Sequence, residues 1–453
     1  MAGHVRENDS YQVAVVAFSA RSLAEATAIS GPRPLVADCF GDQDTRASAS
    51  AFLPLDASHE SACLATVAEI KAIAGRQALI LLGGGAENWT CLTSMLAENF
   101  HVLGAQPRQM AEVRKIDFLQ RTANASGVAF PRTFASPVAC ERQSLVFADC
   151  INKPFNGAGG VRIHRSHSSR PLSAEPFTTA STPTGFYLQE LVDGRSLGAS
   201  FLLGQTGTQL VGITSSLSSH QWPGPSEFIY RGSLGPLPIS DTHRHQLLAA
   251  AEYVQRQVGI LGWIQMDLIL DGGGQLWLLE INPRWTAGME IFVMAGTDLV
   301  QQHAAACGFR MTAGGGVRIP KWKSSREPTG NLISGGCTRG SGRSESIRMH
   351  AKAVYYAESD VHIDAPQLRR LQSLAHGALA DIPSGLPLSQ RKTTEDNSQQ
   401  FSIFASVPCQ QPILTLKAQI EIPDADLPRA EELLLAELRQ RRQQVDSILV
   451  GGQ

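Results

Sequence analysis

Residues 262–290 read GWIQMDLILDGGGQLWLLEINPRWTAGME, and the fold turns on them. Two apolar runs, 264–270 and 275–281, flank Asp271-Gly272-Gly273-Gly274, the pattern of a β-hairpin with a glycine-rich turn. Asp267 interrupts the first run and Glu280 the second, where a purely structural strand would carry another aliphatic side chain. Burying a lone carboxylate is costly unless a cation or donors compensate it. Asn282 follows Glu280 by two positions, so the period of the strand sets both on one face, and the hairpin brings Asp267 toward that face. Three oxygen ligands around one point suit Mg²⁺, a hard cation that also keeps water and phosphate oxygens. Arg284, two residues further on, can hold an anion beside the metal. Taken singly, Asp267 as a strand-end residue and Glu280 as a solvated edge charge is an equally good account. The Asn-Pro-Arg that follows tips the balance.

Working outward, 453 residues with 43% hydrophobic and 18% charged composition supply core for two or three domains. The net charge of −2 and the lack of a long basic run leave no electrostatic footprint for nucleic acid. The first apolar run, 13–18, is too short for a signal core or a membrane span, so a cytoplasmic location away from membranes is expected. Eight cysteines are scattered with no C-x-x-C pair, which argues against a disulfide framework or a zinc site.

Upstream of the hairpin, 13–17, 34–38 and 78–82 read as buried parallel strands, with helices over 22–30 and 64–73 between them. This alternation implies a doubly wound layer. The third strand ends in Gly83-Gly84-Gly85, a ligand-approach loop without dinucleotide spacing. In the middle, Lys153 sits inside a strand, and Asn156, Gly157, Gly159 and Gly160 follow it before 161–163 returns as the paired strand. Glycines let backbone N–H groups approach phosphate oxygens closely. A plain hairpin turn explains the glycines as well, but not the lysine within the strand. Residues 185–194, GFYLQELVDG, form a strand ending in a turn. The stretch 215–238 reads as a loop, 243–258 as an amphipathic helix and 286–308 as a closing helix. Beyond it, 324–346 reads as a mobile linker, and 352–357, 380–383 and 401–405 as pieces of a small β-rich module. Within that module 389–400 is polar and without evident chemistry, and 427–449 ends the chain as a charged helix.

The order Lys115, Lys153, glycine loop, hinge-like strand, then Asp267 and Glu280-Ile281-Asn282-Pro283-Arg284 resembles the ATP-grasp superfamily. Its members couple ATP hydrolysis to joining a carboxylate with an amine or another nucleophile. The resemblance covers roughly residues 10–310. It implies an α/β and α+β chain: a doubly wound pre-ATP-grasp domain over 1–110, an ATP-grasp nucleotide domain over 111–320, and a linker with a β-rich module and terminal helix over 321–453. Asp267, Glu280 and Asn282 would hold Mg²⁺, with Mn²⁺ as a substitute. Lys115, Lys153, Asn156, Gly157, Gly159, Gly160, Gln189, Glu190, Val192 and Asp193 would hold ATP, with backbone groups at Glu190 and Val192 on the adenine edge. Arg284 and Lys153 would be catalytic. Arg21 and Arg46, on N-terminal loops, are candidates for holding a substrate carboxylate.

Two positions depart from the pattern. Ser196 stands where many relatives carry the acid that binds ribose, and Gln265 where D-alanine–D-alanine-type ligases carry an arginine. The implied function is activation of a carboxylate as an acyl phosphate and its capture by an amine, with pterin-type cofactor synthesis as a narrower expectation. Small-molecule acids and amines are the expected partners, and a homodimer is the expected assembly. Carboxylase-type chemistry and a nucleotide-binding regulator without turnover are the alternatives.

Overall fold

The computed structural model describes residues 12–135, 149–166, 185–311, 317–318, 346–374, 377–383 and 403–450. Strands β1 (Val13–Ala17), β2 (Leu35–Asp38), β3 (Ala51–Pro54), β4 (Leu79–Leu82) and β5 (His101–Leu103) form a parallel sheet in the order β3-β2-β1-β4-β5. Every residue of β1 and β4 is buried, because helices cover both faces. Leu23 and Ala26 of helix Arg21–Ile29 pack on Val13 and Val15, while Cys63, Val67 and Ile70 of helix Glu60–Ala74 pack on Ala14 and Val16. The doubly wound layer expected from the alternation is therefore present, with β3 and β5 as additional short edge strands.

A second sheet carries the glycine loop. Its strands are β6 (Thr133–Phe134), β7 (Cys150–Pro154), β8 (His164–Arg165) and β9 (Phe186–Glu190), in the order β6-β9-β7-β8. The return strand starts at His164, later than the expected 161–163. Gly159, Gly160 and Arg162 all have positive φ, so the turn continues through residues that cannot run as a strand.

The third sheet has eight strands in the order β14-β13-β10-β11-β12-β17-β21-β19. Its members are β10 (Arg195–Gly204), β11 (Gly207–Ser216), β12 (Gly232–Leu237), β13 (Gly262–Leu270), β14 (Leu276–Asn282), β17 (Ser346–Tyr356), β19 (Leu379–Ala380) and β21 (Pro412–Pro423). Two small pairs stand apart: β15 (Arg310–Met311) with β16 (Val317–Arg318), and β18 (Val361–Asp364) with β20 (Ile403–Val407). Helix Asp241–Val258, capped by the Ser240 hydroxyl on the His243 amide, lays Leu247, Ala251 and Val254 against Leu197, Ala199 and Phe201 of β10.

Three sequence expectations change here. Part of the expected loop over 215–238 is strand β12, and it pairs with β17 from Gly232↔Ala353 to Gly235↔His350. The C-terminal segment is thereby an extension of the central sheet. Gly232 is required at this junction, since its φ is +143° and a Cβ would meet the Lys352 carbonyl oxygen at 2.1 Å. The single helix expected over 286–308 is two, Met289–Met294 and Leu299–Ala306, separated at Gly296 with φ +91°. The expected linker over 324–346, save for Ser346 at the start of β17, the polar stretch 389–400 and residues Phe401 and Ser402 lie outside the described residues.

Candidate functional site

The hairpin of β13 and β14 sets Asp267 directly opposite Glu280 and Gln265 opposite Asn282. Asp271 fixes its turn: one carboxylate oxygen accepts from the Gly273 and Gln275 amides at 2.9 Å, the other from the Trp277 indole at 2.8 Å. The Asn282 amide donates to Asp267 at 2.9 Å and to Glu280 at 3.1 Å, and Gln265 donates to Asp267 at 2.7 Å. Burial, and then Glu280 beside it, pushes the Asp267 carboxyl up to about 7. Burial opposes the charge on Glu280 as well, but Lys153 with the hydrogen bonds from the Asp267 and Asn282 side chains holds it down. Two carboxylates thus face each other with amide donors between them.

Among the described residues no group of three or more His, Cys, Asp or Glu side chains is arranged for a metal ion. The set here is two carboxylates and one amide. It fits Mg²⁺, which takes few protein ligands and keeps water and phosphate oxygens. As placed, the Asn282 oxygen accepts from Arg284 at 3.0 Å, so that amide must turn over to face a cation.

Arg284 is bound to the N-terminal layer. Its guanidinium forms a two-pronged pair with Glu87 at 2.9 and 2.5 Å, and Glu87 sits in the short turn Ala86–Asn88 just after the Gly83-Gly84-Gly85 loop. Burial penalises the Glu87 charge, yet Arg284 outweighs it and holds the pKa below the ordinary value. Sequence reasoning passed over Glu87. An acid directly after a glycine loop at a sheet's carboxyl end was the available signal.

Lys153 on β7 stands opposite Tyr187 on β9. Its ammonium is 3.6 Å from Glu280 and 3.4 Å from the Leu279 carbonyl. Burial works against its charge, while Tyr187, Glu280 and Asp267 together keep its pKa above the usual lysine value. The glycine loop beyond it is held from two sides. Arg114 donates to the Glu87, Phe155 and Gly157 carbonyls at 3.0, 3.3 and 3.4 Å. On the other side the Tyr230 amide donates to the Gly159 carbonyl at 2.9 Å, and a Cβ on Gly160 would fall 1.8 Å from the Phe228 carbonyl oxygen. Arg165 and Glu227 add a two-pronged ion pair at 2.6 and 2.8 Å between the same two segments. Arg231 stiffens this contact by donating to the Ser226, Glu227 and Ile229 carbonyls.

The remaining expected residues divide. Gln189 is 1% exposed and donates to Thr133 at 3.2 Å. Glu190 sends its side chain to Arg132 at 2.9 and 3.0 Å, and its amide donates to the Arg132 carbonyl, while the Leu191 amide donates to Asp149. Val192, Gly194 and Ser196 line the cleft; Asp193 is exposed and lies outside its lining. Asn156 is exposed, with its carbonyl taken by Arg162 at 3.0 Å. Lys115 is also exposed and pairs with Glu112 at 2.7 Å; its neighbour Arg114 is the cation that reaches the glycine loop. Of the two loop arginines, Arg46 lies over the Phe52 ring at 3.9 Å, and Arg21 is 2% exposed and fully engaged by carboxylates.

The cleft is a cavity of about 1580 Å³. It runs from Lys153, Gln189 and Val192, past Asp267, Glu280, Asn282 and Arg284, to Asp42, Tyr230, Tyr356, Asp381 and Ile413. The last three come from the C-terminal segment. No described helix is long and apolar enough to cross a membrane.

Residues 114–288 match the family model described as an ATP-grasp domain. Among curated proteins the chain is 23% identical over 184 residues to a D-alanine–D-alanine ligase of Anaeromyxobacter sp. (strain K), covering 40% of this chain and 55% of that one. The match thus spans about half the relative's length. Among solved structures it is similar to an L-amino acid ligase from Bacillus licheniformis, with a TM-score of 0.59, 10% identity and coverage of 96% and 98% of the two chains. It is likewise similar to an N5-carboxyaminoimidazole synthetase from Staphylococcus aureus complexed with ADP, with a TM-score of 0.59, 10% identity and coverage of 96% and 99%. At such identities the structures speak for the fold alone. Residues 114–288 thus match an ATP-grasp domain, and the fold of the chain around them is similar to that of these two structures.

Proposed function

We propose that this protein is an ATP-dependent ligase that activates a carboxylate as an acyl phosphate and joins it to an amine, releasing ADP and phosphate. The observation that carries the reading is the single cavity that joins the Lys153 and Val192 end to a second compartment beyond Arg284. Its volume exceeds the range of about 300–1,000 Å³ common for one small ligand.

ATP would lie with its adenine near Val192 and its phosphates between Lys153 and the glycine loop. Mg²⁺, held by Asp267, Glu280 and Asn282, would neutralise phosphate charge. A substrate carboxylate oxygen attacks the γ-phosphorus as its bond to the ADP oxygen breaks. The amine nitrogen then attacks the acyl carbon, phosphate leaves with the bonding pair, and the amine gives up a proton. Lys153 orients the phosphate oxygens. Arg284, kept rigid by Glu87, offers a guanidinium beside the transferring group, where a fixed donor acts without reorganisation.

The test is ADP and phosphate release measured with a panel of carboxylates crossed with amines; a pterin-type acid and bicarbonate belong in that panel. Turnover that needs both an acid and an amine, and gives an amide by mass spectrometry, is the expected result. ATP binding with no turnover across a wide panel would instead favour a nucleotide-binding regulator. Turnover with bicarbonate alone would favour carboxylase chemistry.

A further inference from the structure

We propose that Glu431, on the C-terminal helix Ala430–Val450, is the carboxylate that receives the sugar hydroxyls of the nucleotide. The proposal rests on the ATP reading above and adds a residue from outside the matched domain. Past Val192 the cavity wall is made by Gly194, Arg195 and Ser196 at the start of β10, with Leu217, Ser218 and Gln221 facing them. Glu431 closes that corner.

Its carboxylate is held in place. Arg195 Nη2 donates to Oε2 at 2.7 Å, and Gln221 Nε2 donates to Oε1. An ionised carboxylate has about four acceptor sites, so each oxygen keeps capacity for a further donor. The side chain is 31% exposed, which leaves that capacity open to a ligand. Glu431 also lies in the first turn of its helix, where the backbone dipole favours a negative charge.

A ribose presents two neighbouring hydroxyl donors, and a carboxylate fixed by two flanking groups can take both. Of the other acids near this corner, Glu190 already accepts three donors from Arg132, and Asp193 lies outside the lining. Ser196 offers a single neutral hydroxyl oxygen, without the charge or the second acceptor oxygen of a carboxylate. The C-terminal helix thereby becomes part of the nucleotide site, which gives the sheet continuity between β12 and β17 a functional consequence.

Calorimetric titration of the full chain with Mg²⁺-ATP, Mg²⁺-2′-deoxy-ATP and Mg²⁺-3′-deoxy-ATP tests this. The wild type should bind ATP about tenfold more tightly than either deoxy analogue, the usual worth of a hydrogen bond to a charged group. Glu431→Ala should bring ATP down to the level of the analogues and leave their affinities nearly unchanged. Glu431→Gln keeps the side chain's length and covers the case in which the alanine variant fails to fold; its preference for ATP should shrink. Ser196→Ala should keep the full preference.

Three results overturn the proposal: a wild type that binds all three nucleotides alike, a Glu431 variant that keeps the wild-type preference, or a Glu431 variant that weakens all three equally. The last would mean that Glu431 only clamps Arg195. A wild type that binds no ATP at all fails at the underlying reading, and that outcome shows before any variant is made.

Discussion

Two clusters of buried charge flank the cleft, and they are built in opposite ways. At the hairpin, Asp267 and Glu280 face each other across a strand pair, with Lys153 at 3.6 Å as the nearest cation, and they open onto the cavity. On the far side, Glu290 takes Arg21 through two bonds of 2.6 and 2.8 Å, Lys352 at 2.6 Å and Lys417 at 2.9 Å. Asp381 and Glu25 take further Arg21 donors at 2.7 and 2.8 Å. Burial opposes the Glu290 charge, but Arg21, Lys352 and Lys417 hold its pKa well below the ordinary value, whereas Asp267 is pushed up. The first cluster lacks positive charge that a metal ion would supply. The second also reaches the cavity, through Arg21, Lys352 and Asp381, but its carboxylates share three cations, and it ties helix Arg21–Ile29, helix Met289–Met294 and strands β17 and β21 together. Carboxylates short of cations leave room for a metal ion; carboxylates shared among three cations hold elements together.

The sharpest way to break this comparison is to remove a carboxylate from each side. Glu290→Gln leaves Arg21, Lys352 and Lys417 buried without their shared anion, and should cost about 3–5 kcal/mol of stability in a denaturant titration. Glu280→Ala should cut acid- and amine-dependent ADP release by on the order of 100-fold or more while leaving the melting temperature close to wild type. Reversed outcomes, with Glu290→Gln stable and Glu280→Ala unfolded, would undo the assignment of roles.

Acid sharpens it further. A carboxylate whose folded pKa is depressed contributes stability that is present above its unfolded value, here 4.5, and is lost as pH falls through the folded value. The stability gap between wild type and Glu290→Gln should therefore stay level from about pH 8 to pH 5 and close only in stronger acid. A gap that closes between pH 8 and 6 would show that Glu290 is not the charge that matters.

The smallest effect belongs to the contact between the glycine loop and residues 226–231. Arg165 and Glu227 are both about two-fifths exposed, and exposed pairs are worth roughly 0–1 kcal/mol. Glu227→Ala should raise KM for ATP by no more than about fivefold with kcat unchanged, since the backbone contacts at Gly159 and Gly160 persist.

The hairpin was legible in sequence because its signals are local: period-2 alternation, an Asp-Gly-Gly-Gly turn, and carboxylates at positions that favour aliphatic residues. The N-terminal layer was legible for the same reason, through apolar runs buried on both faces. What escaped involves long separations. Nothing near Arg284 announces that Glu87, 197 residues earlier, is its partner, or that Glu290 gathers cations from positions 21, 352 and 417. Strand β12 was hidden by Gly232, Gly235 and Pro236, residues that mark loops by composition but here permit close approach to β17. Lys115 and Arg114 are adjacent, and only the helix that starts at Ile116 decides which of them turns toward the glycine loop.

The most direct test of the central claim is calorimetric binding of ATP to wild type and Glu280→Ala, each with and without Mg²⁺. The account predicts binding by the wild type that strengthens at least tenfold when Mg²⁺ is added, and a variant that loses this gain. Equal affinity in all four titrations, or none in any, would contradict it.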